Sequence, residues 1–148
     1  MNYQLIISNG DEAWKKLWEP KFLEDWNELY KKCFWSTSMQ TPEFVTVWFE
    51  NYKKLYTPIV IHQRDEANNL VGLLILAKNI NEFVVAGAHQ AEYQVWIANE
   101  QHSETFINNA LYQLDKQFSG IKLNFRYLPK NTPIESIATG SSNLYLFP

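Results

Sequence analysis

The stretch Leu70–Ala77 (LVGLLILA) constrains this chain more than any other. It carries no polar side chain on either face of an extended backbone. A strand of that kind belongs in the middle of a sheet with both faces covered. Upstream of it, Pro58–His62 (PIVIH) is a second apolar run, and the charged segment Arg64–Asn69 (RDEANN) separates the two. Two such runs joined by a polar turn predict an antiparallel hairpin. The remainder of the chain must then supply helices for two faces.

Apolar residues at helical spacing supply them. Phe22, Trp26, Leu29, Tyr30 and Cys33 predict a helix from Leu23 to Cys33. After a polar loop at Ser36–Gln40, Thr41-Pro42-Glu43 reads as a helix start: Thr41 caps, Pro42 has the φ of a first helical position, and Glu43 suits the positive helix end. Phe44, Trp48, Tyr52 and Leu55 then form one stripe, with Val45 and Phe49 beside it. A third helix is expected with Ser103 as its cap, Phe106, Ile107, Ala110, Leu111, Leu114 and Phe118 on its apolar face, and Gly120 as its stop. Shorter pieces fill the gaps. Tyr3–Ser8 reads as a first strand, and Asp11 as the cap of a short helical turn bearing Trp14, Leu17 and Trp18. Glu82–Ala86 reads as a strand interrupted by Gly87–Ala91 and resumed over Tyr93–Ala98. Ile121–Phe125 is the last clear strand. The tail is loop-rich, with a helical turn near Ile134–Ala138 and a short apolar end at Leu144–Phe147. The fold class is therefore α+β, with a mainly antiparallel sheet flanked by helices on both faces.

Composition narrows the function. At 148 residues the chain suits a single domain, and 46% apolar content argues against disorder. With 13 basic against 16 acidic residues the formal charge is −3, and no basic face for nucleic acid is expected. The pairs Lys15-Lys16, Lys31-Lys32 and Lys53-Lys54 read as solvated helix faces. A lone cysteine, Cys33, excludes an internal disulfide and fits a core position better than a nucleophile. No stretch is long and apolar enough for a membrane span, and the opening Met1-Asn2-Tyr3-Gln4 lacks a signal-peptide pattern, so a cytoplasmic location is expected. The histidines and the single cysteine show no metal-ligand spacing.

The wording of the segments, taken in order, is similar to the acyltransferase fold of the GNAT superfamily, and more specifically to the first domain of the FemAB, CelD and BioF2-like acetyltransferase group. Four stretches carry this: Trp26-Asn27-Glu28-Leu29 followed by Gln40-Thr41-Pro42-Glu43-Phe44 and Trp48; Asn69-Leu70-Val71-Gly72-Leu73; Gly87 followed by Glu92-Tyr93; and Phe125-Arg126-Tyr127-Leu128-Pro129. Two departures stand out, Glu92 where the group favours Asp and Tyr127 where it favours an acid. The resemblance implies a domain that works beside a second one, or beside a second copy in a homodimer. It implies an acceptor that is a small molecule, glycan or peptide of a cell-envelope or polysaccharide precursor. It also implies an acyl-CoA donor whose pyrophosphate sits on a glycine-bearing loop before the helix that follows the fourth strand. The corresponding stretch here, Asn99–Glu104 (NEQHSE), has no glycine and places Glu100 and Glu104 where the anion would sit. Bare N–H groups and a helix dipole attract phosphates, but carboxylates repel them. Acyl-CoA binding is thus implied by the resemblance and opposed by the loop.

The candidate site is the strand break. Gly87 in a strand points to a bulge or a close backbone approach, and Gly87 and Ala88 are the residues assigned to the donor. His89, Glu92 and Tyr93 bring a base, a carboxylate and a phenol within a few residues. Acylation of an amine needs a base for the acceptor and an acid for the leaving thiolate, roles open to His89 or Glu92 and to Tyr93 respectively. A structural account stays open beside this one: Tyr93 buried with a bonded hydroxyl, Glu92 in solvent, His89 a loop residue. Arg126 is assigned to an anionic acceptor or to a salt bridge with Glu92. Glu43 is a helix-start residue first and a substrate contact second. The alternatives to an acyltransferase-type domain are a non-catalytic binding module of the same fold and a free-standing acetyl-CoA enzyme with an atypical phosphate loop.

Overall fold

A computed structural model describes residues 3–138 of the chain, and the hairpin lies at its centre. Strand β1 (Gln4–Asn9) leads into helices α1 (Asp11–Leu17), α2 (Pro20–Lys32) and α3 (Pro42–Tyr52). The hairpin follows as β2 (Thr57–Arg64) and β3 (Leu70–Lys78), then β4 (Phe83–Val85) and the two-residue β5 (Ile97–Ala98). Helix α4 (Ser103–Gln117), strand β6 (Leu123–Asn124) and a single helical turn, α5 (Glu135–Ala138), complete the order. The apolar end expected at Leu144–Phe147 lies outside the described residues.

The sheet has six strands in the order β1-β2-β3-β4-β6, with β5 also paired to β3. All pairs are antiparallel except β4 with β6, which run parallel. In the hairpin Ile59 faces Leu76 and Ile61 faces Leu74, and the residues from Leu70 to Ala77 are all buried. Gly72 abuts the Phe106 ring of α4, while Leu73 and Ile75 line one gap with Trp26 of α2 and Val45 of α3. Alternation along β3 therefore sends successive side chains to helices on opposite faces. The α+β architecture with a mostly antiparallel, twice-covered sheet is present as the chain's patterning demands. Four of the six tryptophans, Trp26, Trp35, Trp48 and Trp96, are buried in this core.

Local chemistry explains most boundaries and corrects several. Thr41 caps α3 by accepting from Phe44 N–H at 3.2 Å, and Pro42 occupies the first turn. Helix α2 begins at Pro20, a turn earlier than Leu23, because Pro is compatible with a first helical position. Asp11 does not cap α1; Gly10, at φ 64°, precedes the helix and Asp11 is its first residue. The loop before α3 holds a 3-10 turn over Ser38–Gln40, closed by reciprocal bonds between Thr37 and Gln40. Helix α3 ends at Tyr52, so Leu55 falls beyond it and is 63% exposed instead of continuing the stripe. Ser103 is not the cap of α4. It is the first residue of that helix, is buried, and accepts a hydrogen bond from Trp96 Nε1 at 3.1 Å. The strands expected at 93–98 and 121–125 pair over only two residues each. Cys33 is buried at the end of α2, and burial pushes its thiol pKa up, as a core residue requires.

Candidate functional site

Strand β3 changes partner part-way along its length. Its end pairs with β4 through Leu76 opposite Val85, and its beginning pairs with β5 through Gly72 opposite Ala98 and Leu73 opposite Ile97. Between these two ladders the partner chain leaves the sheet after Ala86, whose N–H still donates to the Ile75 carbonyl at 3.0 Å, and returns at Ile97. The excursion starts at Gly87, whose φ is 100° and whose α-hydrogen faces tight surroundings: a β-carbon there would sit 2.5 Å from Ala91 Cβ and 2.9 Å from Phe44 Cε1. The expected close backbone approach at Gly87 is thus in place. A 3-10 turn, Ala88–Gln90, follows, and Ala88 itself holds a positive φ of 42°.

One buried residue ties the excursion to the last strand. The Gln94 side chain donates from Nε2 to the Ala88 carbonyl at 2.9 Å and accepts at Oε1 from the Arg126 N–H at 3.1 Å. Its own N–H donates to the Arg126 carbonyl at 3.0 Å. Residues far apart in the chain are thereby clamped into one rim. Beyond that rim lies an open cleft of about 420 Å³ lined by Ala88, His89, Gln94 and Arg126 on one side and by the β3–β4 turn and residues 120–124 on the other. Arg126 Nη1 lies 3.3 Å from His89 Nδ1. A guanidinium can only donate, so a hydrogen bond here requires His89 Nδ1 in the acceptor role.

The strand break therefore assembles part of the expected set. Ala88, His89 and Arg126 meet at the cleft. Glu92 and Tyr93 do not line it: both are exposed, and the only Tyr93 atom in a described hydrogen bond is its backbone carbonyl, which accepts from Gln40 Nε2 at 3.0 Å. Tyr93 is accordingly not buried with a bonded hydroxyl. Arg126 forms no ion pair with Glu92 among the described residues and contacts His89 instead. Glu43 sits elsewhere, beside a separate surface hollow lined by Leu23, Glu24, Asn27, Pro42 and Thr46. Gln94 carries no local signal of a site, being the lone amide in the run Tyr93–Ala98 whose pattern reads as a strand, and Asn81, Lys122 and Asn124 carry none either.

No protein-family model, curated protein or solved structure matches this chain. The site must be judged on its own geometry. The segment before α4 is a 3-10 turn, Glu100–His102, that delivers Glu100 and Glu104 to the helix N-terminus and leaves no glycine there. Among the described residues no three His, Cys, Asp or Glu side chains are grouped closely enough to hold a metal ion, and no helix is long and apolar enough to cross a membrane.

Proposed function

We propose that this chain is the acceptor-binding part of an acyltransferase-type unit, acting on a cell-envelope or polysaccharide precursor and completed by a second domain or a second copy. The observation that carries the reading is the cleft at the break in β3's pairing, where the Arg126–His89 pair is held by the buried Gln94 clamp. The resemblance to the GNAT superfamily implies that strands part at this level and admit the reacting group. The order of a broken antiparallel partner of β3, then α4, then the parallel strand β6 supports it. In such a transfer the acceptor nitrogen or oxygen bonds to the acyl carbon, a base takes the acceptor's proton, and the thiolate leaves. His89 is the imidazole at the cleft and the candidate base there, and Arg126 would have to release Nδ1 before that nitrogen could take the acceptor's proton. The donor side fits poorly, since carboxylates flank the N-terminus of α4.

Thermal-shift titration separates the two sides. Acetyl-CoA at millimolar concentration is expected to leave the melting temperature unchanged, and a saturable rise would place donor binding within this chain and overturn the division of labour proposed. Soluble muropeptides or cello-oligosaccharides are expected to raise it, with about 2.7 kcal/mol of added stability at a hundredfold excess over the dissociation constant. Absence of binding by either acceptor class, with no nuclear magnetic resonance shifts around residues 79–94 and 120–126, would reject the acceptor role.

A further inference from the structure

Resting on the reading of the cleft as an acceptor site, we infer that its Arg126 end is an oxyanion subsite, built for a carboxylate or phosphate on an otherwise uncharged polar ligand. Charge accounting comes first. The other arginine, Arg64, is neutralised by Asp25 at 2.9 Å. Arg126 has no carboxylate partner among the described residues, and its one described side-chain hydrogen-bonding contact is with His89 Nδ1. A guanidinium carries five N–H donors, so most of its capacity has no described partner at the cleft. Lys122 lines the same cleft and also forms no ion pair among the described residues. The one carboxylate in the lining, Glu82, already accepts from the Tyr56 hydroxyl at 2.9 Å.

Backbone geometry adds to the side chains. Gly87 and Ala88 both have positive φ, and the N–H groups of Ala88 and His89 donate to no described residue. They are the first two donors of the three-residue turn Ala88–Gln90 and stand at the cleft rim beside Arg126. Only three described non-glycine residues have positive φ, and two of them, Ala88 and Tyr127, directly adjoin His89 and Arg126. Backbone held in a costly conformation concentrates at ligand clamps. The clamp is also pre-set: Gln94, 3% exposed, fixes both the N–H and the carbonyl of Arg126, so the backbone from which the guanidinium extends is positioned before any ligand arrives. The amides of Asn81 and Asn124 line the far side and offer neutral hydrogen-bonding groups suited to hydroxyls.

Titration of isotopically labelled protein with glucuronate, glucose 6-phosphate and glucose tests this. The Ala88 and His89 amide resonances are expected to move saturably with glucuronate or with the sugar phosphate. Arg126→Ala should weaken that binding by about tenfold or more, and Lys122→Gln, at an exposed position, by about threefold. Raising salt to half-molar should weaken it further. A response to glucuronate alone assigns a carboxylate and a response to the phosphate alone assigns a phosphate; either supports the subsite. The subsite is rejected if neither anion saturates, or if both variants, with wild-type spectral dispersion, bind as tightly as wild type. Glucose binding at the cleft as well as glucuronate, with no effect of Arg126→Ala, would reject the subsite while leaving the acceptor cleft standing.

Discussion

His62 shows how one buried residue couples this fold to pH. The ring is 2% exposed, packed edge-on against Phe22 with centroids 5.3 Å apart, and its Nδ1 has no described hydrogen-bond partner. Burial, followed by the nearby Lys16 and Arg64 cations, lowers its pKa from 6.5 to about 4. A proton therefore binds the unfolded ring near neutrality and the folded ring only in stronger acid. Stability is complete above pH 6.5 and falls as the pH drops from 6.5 towards 4, because there the unfolded chain holds a proton that the folded chain excludes. The loss over that window amounts to about 3 kcal/mol. Urea unfolding at pH 7 and at pH 4.5 measures it. His62→Phe should remove this part of the pH dependence, and an unchanged slope in that variant would assign it to other groups.

At the scale of elements, the two helix starts that looked alike in sequence behave differently. Thr41 is a true cap, so Thr41→Ala is expected to cost about 1 kcal/mol through the lost bond to Phe44 N–H. Ser103 instead accepts from the buried Trp96 Nε1, so Ser103→Ala strands an indole donor in the core and is expected to cost more, about 1–3 kcal/mol. Equal losses in chemical denaturation would contradict this. The contrast marks what local sequence can carry. The α3 start was legible because Thr41, Pro42 and Glu43 act on their own backbone. The hairpin was legible because Leu70–Ala77 is apolar on both faces, whatever its neighbours. The ends of β5 and β6 were not, because pairing stops where a distant strand diverges. The same holds for the site: Gly87 advertises its left-handed turn, whereas Gln94 acquires its role only when the fold brings Ala88 and Arg126 together.

For the whole molecule, the thickness of the layers depends on Gly72. A β-carbon at that position would lie 2.3 Å from Cγ of Phe106, so the absence of a side chain sets how closely α4 approaches the sheet. Gly72→Ala should cost about 1–3 kcal/mol through overpacking, and Phe106→Leu in the same chain should recover part of that loss. A fully additive double variant would show that the two residues do not oppose each other. Two anchors on β3 hold the chain before and after the excursion: Leu76 opposite Val85 on one side, Gly72 opposite Ala98 on the other. Neither anchor passes through residues 87–96. The rungs of β3 therefore leave the exposed positions His89, Glu92 and Tyr93 open to change, whereas Ala86, Ala88, Val95 and Trp96 of the same segment are buried in the core and Gln94 holds the last strand. Variation confined to those three exposed positions would change what the excursion presents to solvent without withdrawing a core side chain.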